Sequence, residues 1–378
     1  MIIRVNRDVL ADAVGWVAHT LPQRPAIPVL AGIMLKAADD IVTLSAFDFE
    51  ASARTRFEAE VDEPGAVLVS GRMLSSIAKS LPNKPVELRL DGNKVSIDAG
   101  SSHFSLATMP VDEYPDLPKI PEVTGTIDAA ELAVAVSQVA VAASGDDTLP
   151  LLATVQMVVN GPKITMLATD RYRLAMREVD WTPVDGEVEG AALVKARVLQ
   201  EMSKQLTGGS VDVSLDVSGG TGALLAMAVS GQQMTSQLTQ GDYPNVLGLF
   251  PAETPIHAVV PRAPLLEALR RVSLVVEHLA PVRMTFRSEG TLGLDAGRGD
   301  DAEFSEQLSC YFTGSDDEFL TAFNPGYLRD GLAAIDTEYV RMSFTHPNKP
   351  AVLTAQTEPE GAEVPGYKYL LMPVRYPG

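Results

Sequence analysis

The sequence predicts an α+β chain made of three repeated domains, each with two helices on antiparallel sheets. Three observations predict it. One helical spacing occurs three times. A second helical spacing follows each copy at a nearly constant distance. The stretches between them are short runs that alternate apolar and polar residues, as half-buried strands do.

The first spacing is Leu10, Val14, Val17, Ala18 and Leu21, which share one face of a helix. It returns as Leu132, Val136, Val139, Ala140 and Ala143, and again as Leu265, Leu269, Val272, Ser273 and Val276. Asp128, three residues before Glu131, has the form of a capping box, and Pro264 sits near a helix start, where a missing N–H is harmless. The second spacing is Leu74, Ile77, Ala78, Leu81, then Leu199, Met202, Ser203, Leu206, then Leu328, Gly331, Leu332, Ile335. From Leu10 to Leu74, Leu132 to Leu199 and Leu265 to Leu328 the distances are 64, 67 and 63 residues. The glycine in the last set predicts a close approach of that helix to its neighbour.

Strand patterns begin at Ile41, Lys163 and Leu292, and later in each unit at Val86, Val211 and Tyr339. Turn residues such as Asp91-Gly92-Asn93 and Ser218-Gly219-Gly220 bound them. Proline-containing links, Leu117 to Pro121 and Phe250 to Pro255, divide the chain into 1–120, 121–253 and 254–378. Two helices cannot cover both faces of such sheets. Joining units edge to edge removes exposed strand edges, which is the logic of a closed array.

Composition narrows the function. The 378 residues are 46% hydrophobic and 21% charged, which suits packed cores. A single cysteine, Cys310, excludes an internal disulfide framework and a cysteine-based zinc site within one chain. No apolar run approaches the roughly 20 residues of a membrane span, and the N-terminus reads as a first strand. A cytoplasmic protein without a membrane partner is the expectation. The net charge of −19 repels phosphate on average, so any polyanion must meet a local basic face.

Enzyme constellations are sparse. The five histidines, His19, His103, His257, His278 and His346, lack ligand-like spacing. Asp39-Asp40, Asp146-Asp147 and Asp300-Asp301 read as solvated turn carboxylates. A hydrolase built on Asp300 and Asp301 is a third and weakest reading. Gly208-Gly209 and the glycines of 219–222 precede strands and lack the Lys-Ser/Thr of a phosphate loop. The tripeptide beginning at Arg298 reads as a tight turn. No catalytic residue, metal ligand or cofactor is expected.

Basic residues are gathered more tellingly. Arg72 and Lys79 share one helical stretch, Lys195, Arg197 and Lys204 a second, and Arg262, Arg270 and Arg271 a third. A solvated helix face explains such stretches as readily as a polyanion site does. The segment Leu167 to Leu174 sets a polar cluster inside a strand run, readable as a hairpin turn. The apolar ending Tyr369 to Arg375 reads as a closing core strand or as part of a groove for a partner peptide.

At these residues the chain resembles the bacterial DNA sliding clamps, the β subunits of the DNA polymerase III holoenzyme. The most specific pieces are Ala168-Thr-Asp-Arg-Tyr-Arg-Leu-Ala175 and Met372-Pro-Val-Arg375, supported by Ile27 to Gly32, Phe104-Ser-Leu106 and Phe323-Asn-Pro325. The resemblance covers essentially the whole chain. It implies three DNA-clamp domains per chain and a head-to-tail homodimer closed into a ring, with sheets outside and helices lining a hole around duplex DNA. Such a ring is a non-catalytic processivity factor for DNA replication. It encircles duplex DNA without reading sequence, tethers DNA polymerase III and other polymerases through a peptide-binding pocket, and is opened by a separate ATP-driven clamp loader.

The resemblance places the pocket on Leu152, Thr169, Arg171, Tyr172, Arg173, Leu174, Pro244, Leu249, Leu370, Met372, Pro373, Val374 and Arg375, with Asn324 and Tyr327 on the rim. Its occupant would be a short Gln-Leu-x-Leu-Phe-like peptide. DNA-facing positions are Arg24 and Arg72, with Lys195 and Arg197 nearby. The dimer contact sets Phe104 and Leu106 of one chain against the helix end near Leu274 of the other. Two departures, Leu149-Pro150-Leu151 and Lys349-Pro350-Ala351, raise an alternative: a specialised clamp paralogue whose altered pocket serves inhibitor resistance or repair.

Overall fold

A computed structural model describes residues 1–375 apart from 147, 187, 218–219, 221, 276–279, 298–301 and 315–317. Asp147, Asp300, Asp301, His278, Val276, Arg298 and part of the glycine-rich stretch 219–222 therefore lie outside the described residues.

Among the described residues there are six α-helices: α1 (Arg7–Ala18), α2 (Gly71–Ser80), α3 (Ala129–Ala140), α4 (Ala196–Gln205), α5 (Arg262–Val272) and α6 (Pro325–Ala333). They fall on the six spacings read from the sequence. Leu10, Val14, Val17, Leu132, Val136, Val139, Leu265, Leu269 and Val272 are all buried, as are Leu74, Leu199, Met202, Leu328 and Leu332. Capping residues fix several starts. Asn6 accepts from the Asp8 N–H at 3.0 Å. Asp128 accepts from the N–H groups of Ala130 and Glu131, at 2.9 and 3.0 Å. Asn324 accepts from those of Gly326 and Tyr327, and Pro325 opens α6 where no donor is needed.

The chain folds into two compact units that do not follow chain order. The first is Met1–Leu132 with Trp181–Leu238, the second Ala133–Asp180 with Thr239–Gly378. In the first, fourteen strands form one hydrogen-bonded sheet from Thr182–Pro183 at one end to Glu60–Glu63 at the other, every pair antiparallel. The hairpin Leu224–Val229 and Gln232–Gln237 joins it through Ala51–Glu58, with Met234 opposite Ala53. Helices α1 and α2 pack together in this unit.

In the second unit, strand Glu363–Leu371 lies between Arg173–Asp180 and Ala351–Gln356. A separate sheet orders Phe304–Ser309, Thr291–Ala296, Val282–Arg287 and Glu318–Phe323. Helices α5 and α6 pack together here. Gly331 meets the expectation of a close approach: a Cβ there would lie 2.5 Å from the Tyr369 ring.

The C-terminal segment departs from the sequence expectation. The strand stops at Leu371, and Met372 to Arg375 leave the sheet. Pro373 has no N–H to continue a ladder. Among the described residues, no helix is long and apolar enough to cross a membrane.

Candidate functional site

The segment that breaks strand alternation at Leu167 to Leu174 is a tight hairpin joining Lys163–Thr169 to Arg173–Asp180. The Asp170 carboxylate accepts from the N–H groups of Tyr172 and Arg173, at 3.0 and 3.1 Å, and so forms the turn. Arg171 is held at φ 81°, a conformation rare for a side-chain-bearing residue. Thr169 secures the turn: its hydroxyl donates to the Arg173 carbonyl at 2.6 Å and accepts from the Arg171 N–H at 3.1 Å. The Thr169 N–H donates to the Tyr243 hydroxyl at 3.1 Å. Burial pushes the Tyr243 phenol up to about 12, so it stays protonated in this contact.

Arg173 organises the polar side of the site. Its Nε donates to Asp170 at 2.8 Å and a terminal nitrogen donates to Asp330 on α6 at 2.7 Å. The guanidinium lies 4.4 Å from the centre of the Tyr327 ring. Burial opposes this charge, but Tyr369, Asp330 and Asp170 outweigh it and raise the pKa. Tyr327 stacks on Tyr172 with ring centres 6.2 Å apart, and the Tyr369 hydroxyl donates to the Tyr327 carbonyl at 2.8 Å.

The apolar side is a buried cluster of Leu167, Leu174, Val246 and Leu370, with Met176, Tyr243 and Phe250 packed against it. The pairing of Leu174 with Leu370 comes from strand register. Large apolar side chains remain exposed beside it in the chain: Tyr172, Leu247, Leu249 and Met372. Concentrated apolar exposure next to a core cluster is the signature of a binding surface. The Met372 N–H donates to the Tyr172 carbonyl at 2.9 Å, and the Val374 N–H to the Ala322 carbonyl at 2.8 Å, so the C-terminal segment is tied to the Asp170 turn and to strand Glu318–Phe323.

Each expected pocket residue lies in this second unit. Arg171, Pro244 and Arg375 are exposed, while Leu152, Pro373 and Val374 are half-buried. Leu151, next to Leu152, fills the space beside Gly241, on the stretch that leads to Pro244. Sequence reading missed Tyr243, Val246 and Asp330, and gave Asp170 and Tyr369 no role beyond their place in quoted segments; all five hold the site without facing out of it. The only signal for Asp330 was a carboxylate on a helix of otherwise apolar spacing.

The expected DNA-facing residues lie together in the first unit. Arg72 donates to the Pro22 and Gln23 carbonyls at 3.3 and 3.0 Å, beside exposed Arg24. Lys195, at the start of α4, pairs with Glu50, and Arg197 reaches the same carboxylate at 3.9 Å. Arg24, Glu50 and Arg197 line a cleft of about 660 Å³.

The expected dimer residues differ among themselves. Leu274 is 83% exposed, Phe104 half-buried and Leu106 only 3% exposed, so the Leu106 side chain belongs to its own core. The strand Ser102–Met109 pairs fully with Lys94–Ala99, but with Gly65–Ser70 only at Met109 and Thr108. Phe304–Ser309 is the outer strand of its sheet. Among the described residues, each unit thus presents a free backbone edge.

Comparison with known proteins places this arrangement. Family models described as the DNA polymerase III beta subunit match in three parts: N-terminal domain at residues 1–118, central domain at 126–245 and C-terminal domain at 248–375. The beta sliding clamp of Streptomyces coelicolor is 47% identical over 379 residues, covering 100% of both chains. The beta sliding clamp homolog GriR of Streptomyces muensis is 40% identical, again over 100% of both. Among solved structures, a DnaN sliding clamp of Pseudomonas aeruginosa bound to griselimycin superposes with a TM-score of 0.90 at 26% identity, covering 100% of both chains. With all three domains matched in order and its fold shared, this chain belongs to the DNA polymerase III beta subunit family, the beta sliding clamps.

Proposed function

We propose that two copies of this chain join head to tail into a ring around duplex DNA, each copy contributing domains 1–120, 121–253 and 254–378. The protein is a DNA sliding clamp, a processivity factor of replication. The observation that carries this is the full-length match to sliding clamps, over three domains and with one fold.

In this reading the free edge at Ser102–Met109 of one copy pairs with Phe304–Ser309 of the other, with Phe104 packing near Leu274. Joining the edges removes two unpaired strands, which is how sheets avoid uncontrolled association. Backbone pairing then carries the contact, with Phe104 and Leu106 on one face of the joined strand. The solution mass tests it: about twice the 40.3 kDa chain is expected, and a monomer at working concentration contradicts the ring.

The apolar surface at Leu174 and Leu370 takes the leucine and phenylalanine of a partner peptide. Thr169, Arg171, Tyr172, Arg173, Asn324, Tyr327 and the tail Met372 to Arg375 orient it, with Leu152, Pro244 and Leu249 as further walls. DNA polymerase III, other polymerases and the clamp loader share this surface, in the cytoplasm. Arg24, Arg72, Lys195 and Arg197 meet phosphates without reading bases. The ring itself carries out no catalysis: partners bring the chemistry and the clamp brings the tether.

A second reading, a specialised paralogue with an altered pocket, is favoured by one observation, the 40% identity to a clamp described as a homolog rather than as the clamp. The higher identity to the Streptomyces coelicolor clamp favours the first.

A further inference from the structure

The turn that builds the partner surface occurs a second time, in the first unit, with different residues. There the Asp48 carboxylate accepts from the N–H groups of Glu50 and Ala51, at 3.0 and 2.7 Å, as Asp170 does from Tyr172 and Arg173. Phe49 stands at φ 71°, as Arg171 does at 81°. The Gln237 N–H donates to the Glu50 carbonyl at 2.8 Å, the bond that Met372 makes to Tyr172. Glu50 therefore occupies the place of Tyr172. Where the second unit presents an aromatic ring to a partner, the first presents a carboxylate.

The backbone that carries this carboxylate is firmly placed. It is bonded at both N–H and carbonyl, and Phe49 is anchored edge-on against Phe47 with ring centres 5.4 Å apart. A bulky residue at positive φ is strained, and strain of this kind gathers at functional sites. Here one carboxylate oxygen of Glu50 pairs with Lys195 and the other lies 3.9 Å from Arg197. Both cations stay substantially exposed, with Arg197 at 79%, so phosphate can reach them. A carboxylate beside two exposed cations competes with every phosphate that approaches.

We propose that Glu50 is a positioning residue that acts as a charge brake on DNA contact. It shares Lys195 and Arg197 with the passing phosphates and keeps their grip weak enough for a ring to slide. This rests on the reading that Lys195 and Arg197 face the duplex. Retention on DNA comes from closure of the ring, so strong contacts would only slow movement.

Glu50→Gln keeps the shape and removes the charge. Binding of a fluorescent duplex to the intact protein, followed by anisotropy from about 50 to 200 mM salt, reports the phosphates engaged. The log–log salt slope of Glu50→Gln is expected to steepen by about one to two, one for each cation released. One-dimensional diffusion of the loaded ring should slow in the same variant. Lys195→Gln with Arg197→Gln, added to Glu50→Gln, should show a shallower slope than Glu50→Gln alone, because the released cations are then gone. An unchanged Glu50→Gln slope and diffusion, with that triple variant still shallower than Glu50→Gln, overturns the brake and leaves the DNA-facing reading standing. A triple variant indistinguishable from Glu50→Gln removes that reading, and the brake with it. An unaltered melting curve for Glu50→Gln ties a slope change to charge and not to unfolding.

Discussion

Gly331→Ala is expected to destabilise the second unit by roughly 3 kcal/mol, because overpacking of a rigid core has few outlets. The new Cβ would lie 2.5, 2.6 and 3.0 Å from three atoms of the Tyr369 ring. Tyr369 cannot step aside: it is fully buried and its hydroxyl is bonded to the Tyr327 carbonyl. Relief must come from movement of α6 or of strand Glu363–Leu371. Either displaces the proposed partner surface, since Tyr327 and Asp330 ride on α6 while Leu370 sits on that strand. Equilibrium urea unfolding would show a lower midpoint, and affinity for a Gln-Leu-x-Leu-Phe-like peptide would fall with it. Wild-type stability in Gly331→Ala would mean that helix and strand are not in this contact.

The second large effect is on binding alone. Tyr172 and Met372 are 55% and 41% exposed and are joined by the bond between the Met372 N–H and the Tyr172 carbonyl. Because that bond is backbone to backbone, Tyr172→Asp with Met372→Asp leaves it in place. Surface changes of this kind shift stability by about 0.5 kcal/mol or less. Loss of aromatic and thioether contact area at the centre of a small interface removes 2 kcal/mol or more, so peptide affinity should fall by about 30-fold or more. Calorimetric titration of the peptide measures it. Affinity unchanged in the double variant would move the partner site elsewhere.

The helices were the most legible part of the chain. Their faces are set by local spacing, and burial of Leu10, Val14, Val17, Leu199, Met202 and Leu332 follows that spacing directly. Gly331 was readable for the same reason: a glycine in a helix face implies a neighbour at close range. The hairpin at Asp170 was half legible. Its polar residues marked a turn, but the role of Asp170 as acceptor for two N–H groups depends on a conformation that spacing does not encode.

The supports of the proposed partner surface were the least legible. Asp330 is 157 residues from the Arg173 it binds, and Tyr369 meets Tyr327 across 42. Such pairs are made by strand register and helix packing. The resemblance named residues that short motifs carry, of which Tyr172, Leu249 and Met372 are exposed and Thr169, Leu174 and Leu370 buried, and omitted the residues behind. Phe104 and Leu106 share one face of strand Ser102–Met109, half-buried and buried in turn, so the motif marked the face while their unequal burial depends on the packing beneath it. Glu50 was passed over because a single acid in a turn carries no pattern, and only its pairing with two distant cations gives it meaning.

The central claim is that this chain holds DNA by enclosing it. Loading it with a clamp loader onto nicked circular DNA and then linearising the DNA tests that claim most directly. A ring that slides will run off the new ends, so the account predicts loss of the protein from linear DNA and retention on the uncut circle. Equal retention on both forms would mean that the protein grips DNA by surface contact, and would contradict the account.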